Sequence, residues 1–190
     1  TPGAEVLALP SGARARVAEI VTADGALSEA GPDRAVTLRL DREIDLSRGD
    51  LIVAPEAPPR LSNEIEADVC WFDAAPLAAG RVYTLKRATT TVRVRVESVD
   101  WRLDVRTLER TAADQPLSMN DIARVRIRTQ QPIAVDAYSD NRVTGAFILV
   151  DEADNHTVAA GTVVVTCSID PGRRPETLAP WPRAATKMRP

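Results

Sequence analysis

The sequence predicts an all-β protein built from small antiparallel barrels, and three observations carry that prediction. Apolar and polar residues alternate along the chain, as in Arg14-Ala15-Arg16-Val17-Ala18-Glu19-Ile20 and Thr91-Val92-Arg93-Val94-Arg95-Val96-Glu97. A period of two puts valine, leucine and isoleucine on one face and arginine on the other, the pattern of a half-buried strand. Turn signals recur at intervals of roughly ten residues, the spacing of barrels and sandwiches. No 3.6-residue periodicity persists beyond about two turns, less than an ordinary helix needs.

The elements follow in order. Pro10-Ser11-Gly12, Asp24-Gly25, Gly31-Pro32-Asp33 and Arg48-Gly49-Asp50 punctuate the first third of the chain. Glycine supplies positive φ and proline fixes φ near about −65°, so these are turns with a mechanism. Between them, Arg14–Ile20 and Val36–Leu40 alternate as strands. Ala54-Pro55-Glu56-Ala57-Pro58-Pro59 then places three prolines in six residues. Proline donates no hydrogen bond to a sheet, so this stretch reads as a crossing between two domains, 1–57 and 58–169.

Within the second domain, Thr91–Glu97 and Arg124–Arg128 alternate. Short helical turns are expected over Leu103–Arg110 and Ser118–Ile122. Asn141–Asp151 and Thr157–Val163 read as a closing β-hairpin, with Phe147, Ile148 and Leu149 as core and Gly161 at a turn or close approach. A tail over residues 170–190 follows. From Pro171 onward it carries five prolines, four arginines and one lysine against one glutamate, so it should be irregular.

The totals exclude several function classes. The 190 residues are 44% hydrophobic and 27% charged, with a net charge of −3 that exerts no global pull on nucleic acid or anionic membrane. No apolar run approaches the roughly 20 residues of a spanning helix, so no membrane partner is expected. The N-terminus has neither a basic region nor an apolar run of a signal peptide, and Cys70 and Cys167 fit a reducing cytosol; a cytoplasmic location is expected.

No catalytic, cofactor-binding or metal-binding residue stands out. The chain has no G-x-x-x-x-G-K-[ST] loop to cradle phosphates, so by itself it should not hydrolyse GTP or ATP. His156, the only histidine, reads as a plain loop residue beside the closing hairpin. Cys70, between Val69 and Trp71, reads as a packed, inert thiol. Glu64, Glu66, Asp68, Asp100, Asp104, Asp121, Asp136, Asp140 and Asp151 form no ligand spacing with a histidine and read as solvated charges. Arg93, Arg95, Arg124, Arg126 and Arg128 could meet phosphates along one face. Glu97, Asp100, Asp104 and Asp121 interrupt them and stacking aromatics are few, so no nucleic-acid partner is expected.

Val6-Leu7-Ala8-Leu9-Pro10-Ser11-Gly12, Ala35-Val36-Thr37-Leu38 and Glu43-Ile44-Asp45-Leu46-Ser47-Arg48-Gly49-Asp50-Leu51-Ile52-Val53 resemble the second domain of translational GTPases. Glu66-Ala67-Asp68-Val69-Cys70-Trp71, Gly80-Arg81-Val82-Tyr83, Leu117-Ser118-Met119-Asn120-Asp121-Ile122 and the run from Tyr138 to Gly161 follow a third-domain pattern. Together they are similar to the large GTPase subunit of bacterial sulfate adenylyltransferase over roughly residues 3–166. The resemblance implies two translation-factor-like barrels, the first truncated before Glu5 and therefore open at an edge. An unpaired edge is an aggregation hazard, so a cover from another chain, the tail or a crystal neighbour is expected. The resemblance further implies a G domain, absent here, that binds GTP and Mg²⁺, and a small catalytic subunit as partner. That pair couples GTP hydrolysis to ATP + sulfate → adenosine 5′-phosphosulfate + diphosphate, leaving this part of the chain to dock and couple without chemistry. A pair of barrels that binds RNA or tRNA, as in translation factors, is the alternative.

Overall fold

A computed structural model of the chain describes residues 1–77 and 80–166. Among the described residues the strands are β1 Glu5–Leu9, β2 Arg14–Thr22, β3 Gly25–Leu27, β4 Thr37–Leu40, β5 Leu51–Val53, β6 Arg60–Trp71, β7 Val82–Arg87, β8 Thr90–Leu103, β9 Arg110–Thr111, β10 Ile122–Val135, β11 Ala146–Asp151 and β12 Thr157–Thr166. No described residue is helical.

The first five strands form one sheet, with β3, β2, β1 and β5 in a row and β4 also paired to β2. It does not close. Among the described residues β3, β4 and β5 each have a strand on one side only, so the open edge implied by the sequence is present. No described strand covers β5, and the tail lies outside the described residues. Alternation along β2 buries Ala15, Val17 and Ile20, which pack with Val6 and half-buried Leu27, Val36, Leu38, Leu40 and Ile44. This core is small and contains no aromatic ring.

The later strands close into a barrel. Each of β6, β12, β11, β7, β8 and β10 pairs antiparallel with the next, and β10 returns to β6. Closure removes every free edge of the ring, and β9 extends β8 outside it. The inward residues of all six strands fill the interior. Trp71 and Tyr83 meet edge to face at 5.8 Å and 79°, and the Trp71 indole N–H donates to the Ala75 carbonyl at 2.9 Å. Gly161 lies mid-strand in β12, where an added Cβ would come within 2.5 Å of Phe147 Cζ; its role is close approach, not a turn. Gly145 is equally confined, since a Cβ there would come within 2.5 Å of Tyr138 Cα.

Three sequence expectations change. Leu103–Arg110 is not a helix: Leu103 ends β8, Arg110 begins β9, and the turn between them has Asp104 Oδ1 accepting from the Arg106 and Thr107 amides and Leu108 at φ +60°. Ser118–Ile122 is also a turn, with Asp121 Oδ2 accepting from the Ser118 amide at 2.7 Å and Asn120 at φ +70°. Asp104 caps its turn as it would a helix start, but Leu108 in the left-handed region ends it after one turn; Asp121 closes its turn from the far side, on the amide three residues back. In the closing hairpin, β11 starts only at Ala146, and Asn141–Gly145 is a turn held by Asn141 Oδ1 on the Val143 amide. Strand alternation also turns Ile148 outward, 36% exposed, while Phe147 and Leu149 stay buried.

The sheet and barrel are joined through residues 54–59, between the end of β5 and the start of β6. They also touch at a second point. Thr90 Oγ1, at the start of β8, donates to the Gly49 carbonyl at 2.9 Å. Gly49 has φ +108° and an added Cβ there would lie 3.5 Å from the Thr89 carbonyl, so the Arg48–Gly49 turn seats closely on the β7–β8 turn. Pro132 marks a bulge in β10, where pairing with β6 skips from Arg128 to Ile133; the bulge accommodates its missing N–H and faces the first sheet.

Candidate interaction surface

The outer wall of the barrel divides into two faces of opposite character. On one, formed by β6, β10 and β8, arginines meet acids across the strands. Arg124 donates to Asp68 at 2.6 and 3.1 Å and to Glu66 at 2.8 Å. Arg128 reaches Glu64 at 3.0 Å and Glu97 at 3.6 Å, and Arg126 reaches Asp100 at 3.5 Å. The hydrogen bonds to Asp68 and Glu66 raise the Arg124 guanidinium further above its ordinary range. Trp101 is covered by two guanidinium groups, Arg110 at 4.5 Å and Arg124 at 5.1 Å from the ring centre.

Across β12 and β11 this lattice stops. One transverse row of register partners runs Ile122, Cys70, Ala160, Ile148, Lys86. The next row runs Arg124, Asp68, Thr162, Ala146, passing from ion pair to small side chains. The small residues Ala146 and Ala160 leave a shallow groove of about 850 Å³ beside the loop that carries Tyr138 and Val143. Val143 is 67% exposed and Tyr138 and Ile148 are partly so, giving a contiguous apolar surface. That loop is tied to β12 by the Tyr138 amide donating to the Val163 carbonyl at 2.8 Å.

Arg87 lies between this groove and the cleft facing the first sheet, and lines both. It is 3% exposed. Its Nη1 donates to the Thr144 carbonyl at 3.3 Å and Nη2 to Thr90 Oγ1 at 3.1 Å. Thr144 Oγ1 in turn donates to Asp136 at 2.6 Å. Burial lowers the Arg87 pKa and Asp136 opposes that shift. The chain Arg87–Thr90–Gly49 thus connects the barrel wall to the first sheet.

At the opposite end of the barrel, His156 bridges two loops. Nε2 meets Asp73 Oδ2 at 3.0 Å and Nδ1 contacts Asp154. The bonds to Asp154 and then Asp73 raise the imidazole pKa above its ordinary 6.5. Asp73 and Asp154 are lowered below 3.8, chiefly by the Ala75 and His156 backbone amides respectively. The two carboxylates sit on opposite ring nitrogens, and among the described residues no His, Cys, Asp or Glu trio converges as a metal site.

The structure sorts the residues singled out by sequence. His156 is a loop residue with two ionic partners rather than a bare one. Cys70 is a half-buried free thiol on the outer wall, not packed inside, because Val69 and Trp71 take the inward positions. Asp151 is buried and paired with Arg81, Asp136 serves Thr144, and Asp104 and Asp121 close turns. Arg93 pairs with Glu152 at 2.8 Å. The sequence did not single out Lys86, Arg87 or the groove. One signal was available: Phe147-Ile148-Leu149-Val150 breaks alternation, which marks an apolar side chain on the outside as well as the inside.

Residues 64–164, the barrel, match the family described as GTP-eEF1A C-terminal domain-like. The chain is 45% identical over 163 residues to the bifunctional enzyme CysN/CysC of Mycobacterium tuberculosis, covering 85% of this chain and 26% of that protein. It is 46% identical over 181 residues to sulfate adenylyltransferase subunit 1 of Chromobacterium violaceum, covering 95% of this chain and 37% of that protein. The crystal structure of sup35 complexed with GDP superposes with a TM-score of 0.79 at 22% identity, over 88% of this chain and 41% of that one, and supports the fold. The chain therefore spans about a quarter to two-fifths of the length of these proteins. An open sheet followed by a closed six-stranded barrel, with this similarity, places the chain in the GTP-eEF1A C-terminal domain-like family, beside the large subunit of sulfate adenylyltransferase.

Proposed function

We propose that this chain is the two-barrel part of the GTPase subunit of a sulfate adenylyltransferase, with residues 1–57 and 58–169 as its two domains. The whole protein would act in the cytoplasm, coupling GTP hydrolysis to ATP + sulfate → adenosine 5′-phosphosulfate + diphosphate. GTP and Mg²⁺ would bind in a G domain outside this chain, and adenylylation would occur on a small catalytic subunit. The role left to these residues is docking and coupling, with no catalytic, cofactor-binding or metal-binding residue of their own. The observation that carries this reading is 46% identity to a sulfate adenylyltransferase subunit 1 over 95% of the chain. The contact from Arg87 through Thr90 to Gly49 supports it physically, because a coupling element needs its two parts linked by more than a tether.

An RNA- or tRNA-binding role is not favoured. Arg93, Arg124, Arg126 and Arg128 spend their charge on Glu152, Asp68, Asp100 and Glu64. Freeing them for phosphate would leave those acids facing the same polyanion.

Co-precipitation of the full chain with the small catalytic subunit, alongside a GTP-binding assay on the chain alone, tests the proposal. Association with the subunit and no GTP binding are expected. Tight GTP binding by these residues alone would refute it.

A further inference from the structure

We propose that the groove on β11 and β12 is a docking site for an acidic, apolar protein surface: aliphatic side chains over Ala146, Ala160 and Ile148, flanked by carboxylates that pair with Lys86 and Arg142. This deepens the docking role proposed above and rests on it.

The argument starts from charge. Elsewhere on the wall, cross-strand acids neutralise the arginines. Lys86 lines the groove, and Arg142 adjoins it as the chain neighbour of the lining residue Val143; among the described residues no ion pair is formed by either. Arg142 instead lies 5.9 Å from the centre of the Tyr138 ring. Asp68, which lines the groove, is paired with Arg124; Asp140 and Asp136 accept from the Ser139 and Thr144 hydroxyls and keep their charge, Asp136 facing Arg87, but neither forms an ion pair with Lys86 or Arg142. An apolar floor with two unneutralised cations at its rim selects a partner with the opposite rim.

The same charges weigh against the other occupants. Residues 171–190 carry five cations against one glutamate, so the cationic rim repels the chain's own tail. A symmetric dimer through the groove would bring Lys86 and Arg142 of two copies onto the same contact, like charge against like. Strand addition is closed off as well, because β11 and β12 already have a strand on both sides. The occupant is held by side chains, so its side-chain chemistry decides its fit.

The test uses the full chain and two synthetic peptides, one alternating valine with glutamate and one alternating valine with lysine. The readout is the amide NMR signals of Ala146, Ile148, Ala160 and Thr162. The glutamate peptide is expected to shift these signals and to bind at least about threefold more tightly than the lysine peptide, as two exposed pairs allow. Lys86→Glu combined with Arg142→Glu should invert that preference, and Ile148→Asp should abolish binding of either peptide. Lys86→Glu alone, which leaves Tyr138 covered, should remove most of the preference. Equal response to both peptides, shifts confined to another surface, no response to either, or self-association through the groove would each overturn the proposal. Co-precipitation with the small catalytic subunit separates the two readings. Subunit binding that survives Ile148→Asp in a chain indifferent to the peptides overturns the groove and leaves the docking role. A groove that selects glutamate in a chain that ignores the subunit does the reverse.

Discussion

The first sheet and the barrel are made from the same alternating strands, yet they bury very different interiors. Among the described residues, the barrel core holds 21 buried hydrophobic side chains, while that of the first sheet holds four and leans on half-buried neighbours. Both units include strands of nine residues or more, so strand length does not explain the contrast. Closure does. A ring gives every strand two neighbours and turns all inward faces on one another, whereas an open sheet of five needs a second layer to cover its apolar side. The barrel is therefore the stable body and the first sheet the part whose order depends on what it touches.

The largest expected break in that contrast is Trp71→Ala, which removes the largest fully buried side chain of the barrel. A loss of about 3–5 kcal/mol is expected, read as a lower urea midpoint for the barrel. Gly161→Ala comes next. Its Cβ would press on the Phe147 ring at 2.5 and 2.9 Å, and overpacking of this kind costs about 1–3 kcal/mol. An unchanged melting temperature would show that β12 can shift to relieve the clash.

Thr90→Val acts on the joint between the two units. It removes the donor to the Gly49 carbonyl and leaves a buried Arg87 N–H without its acceptor, a loss of about 1–3 kcal/mol. Amide hydrogen exchange should accelerate more in β1, β2 and β5 than in the barrel; uniform acceleration would mean that the joint does not orient the sheet.

The smallest effect belongs to His156, an exposed site. Its pKa is raised in the folded state, so the stability it contributes is fully present below about pH 6.5 and is lost as pH rises through the folded value. Asp73 and Asp154 are lowered, so their contribution is present above about pH 3.8 and lost as pH falls through their folded values. The melting difference between the wild type and His156→Ala should be greatest on the mildly acidic side of neutrality and fade on both flanks. A difference that grows above neutral pH would contradict this assignment.

Strand identity was legible because one face of each strand is buried and the period of two records it directly, as Val92, Val94 and Val96 in β8 show. The turns at Asp104 and Asp121 were not legible as turns. Asp104 makes the bonds that would cap a helix but its chain stops after one turn at Leu108, and local composition does not separate a capped turn from a capped helix. The groove was hidden for a different reason. Lys86, Ile148, Ala160 and Cys70 are far apart in sequence and meet only through the pairing of β7, β11, β12 and β6. Arg87 carries no mark of burial in the sequence, and only the closed ring places it inside.

The aromatic-free core of the first sheet has an optical consequence. No tryptophan, tyrosine or phenylalanine occurs before Trp71, and Trp71 stands in the barrel against Tyr83. Trp101 adds a second emitter beside two guanidinium groups on the barrel wall. Among the described residues, no aromatic side chain reports on the first sheet, and Trp181 lies outside them. In a Trp181→Leu chain, a cooperative curve recorded by intrinsic fluorescence or near-ultraviolet dichroism is a curve for the barrel, even if the sheet has already come apart. A tryptophan introduced at Leu38, on the half-buried side of β4, would give the silent unit a signal of its own.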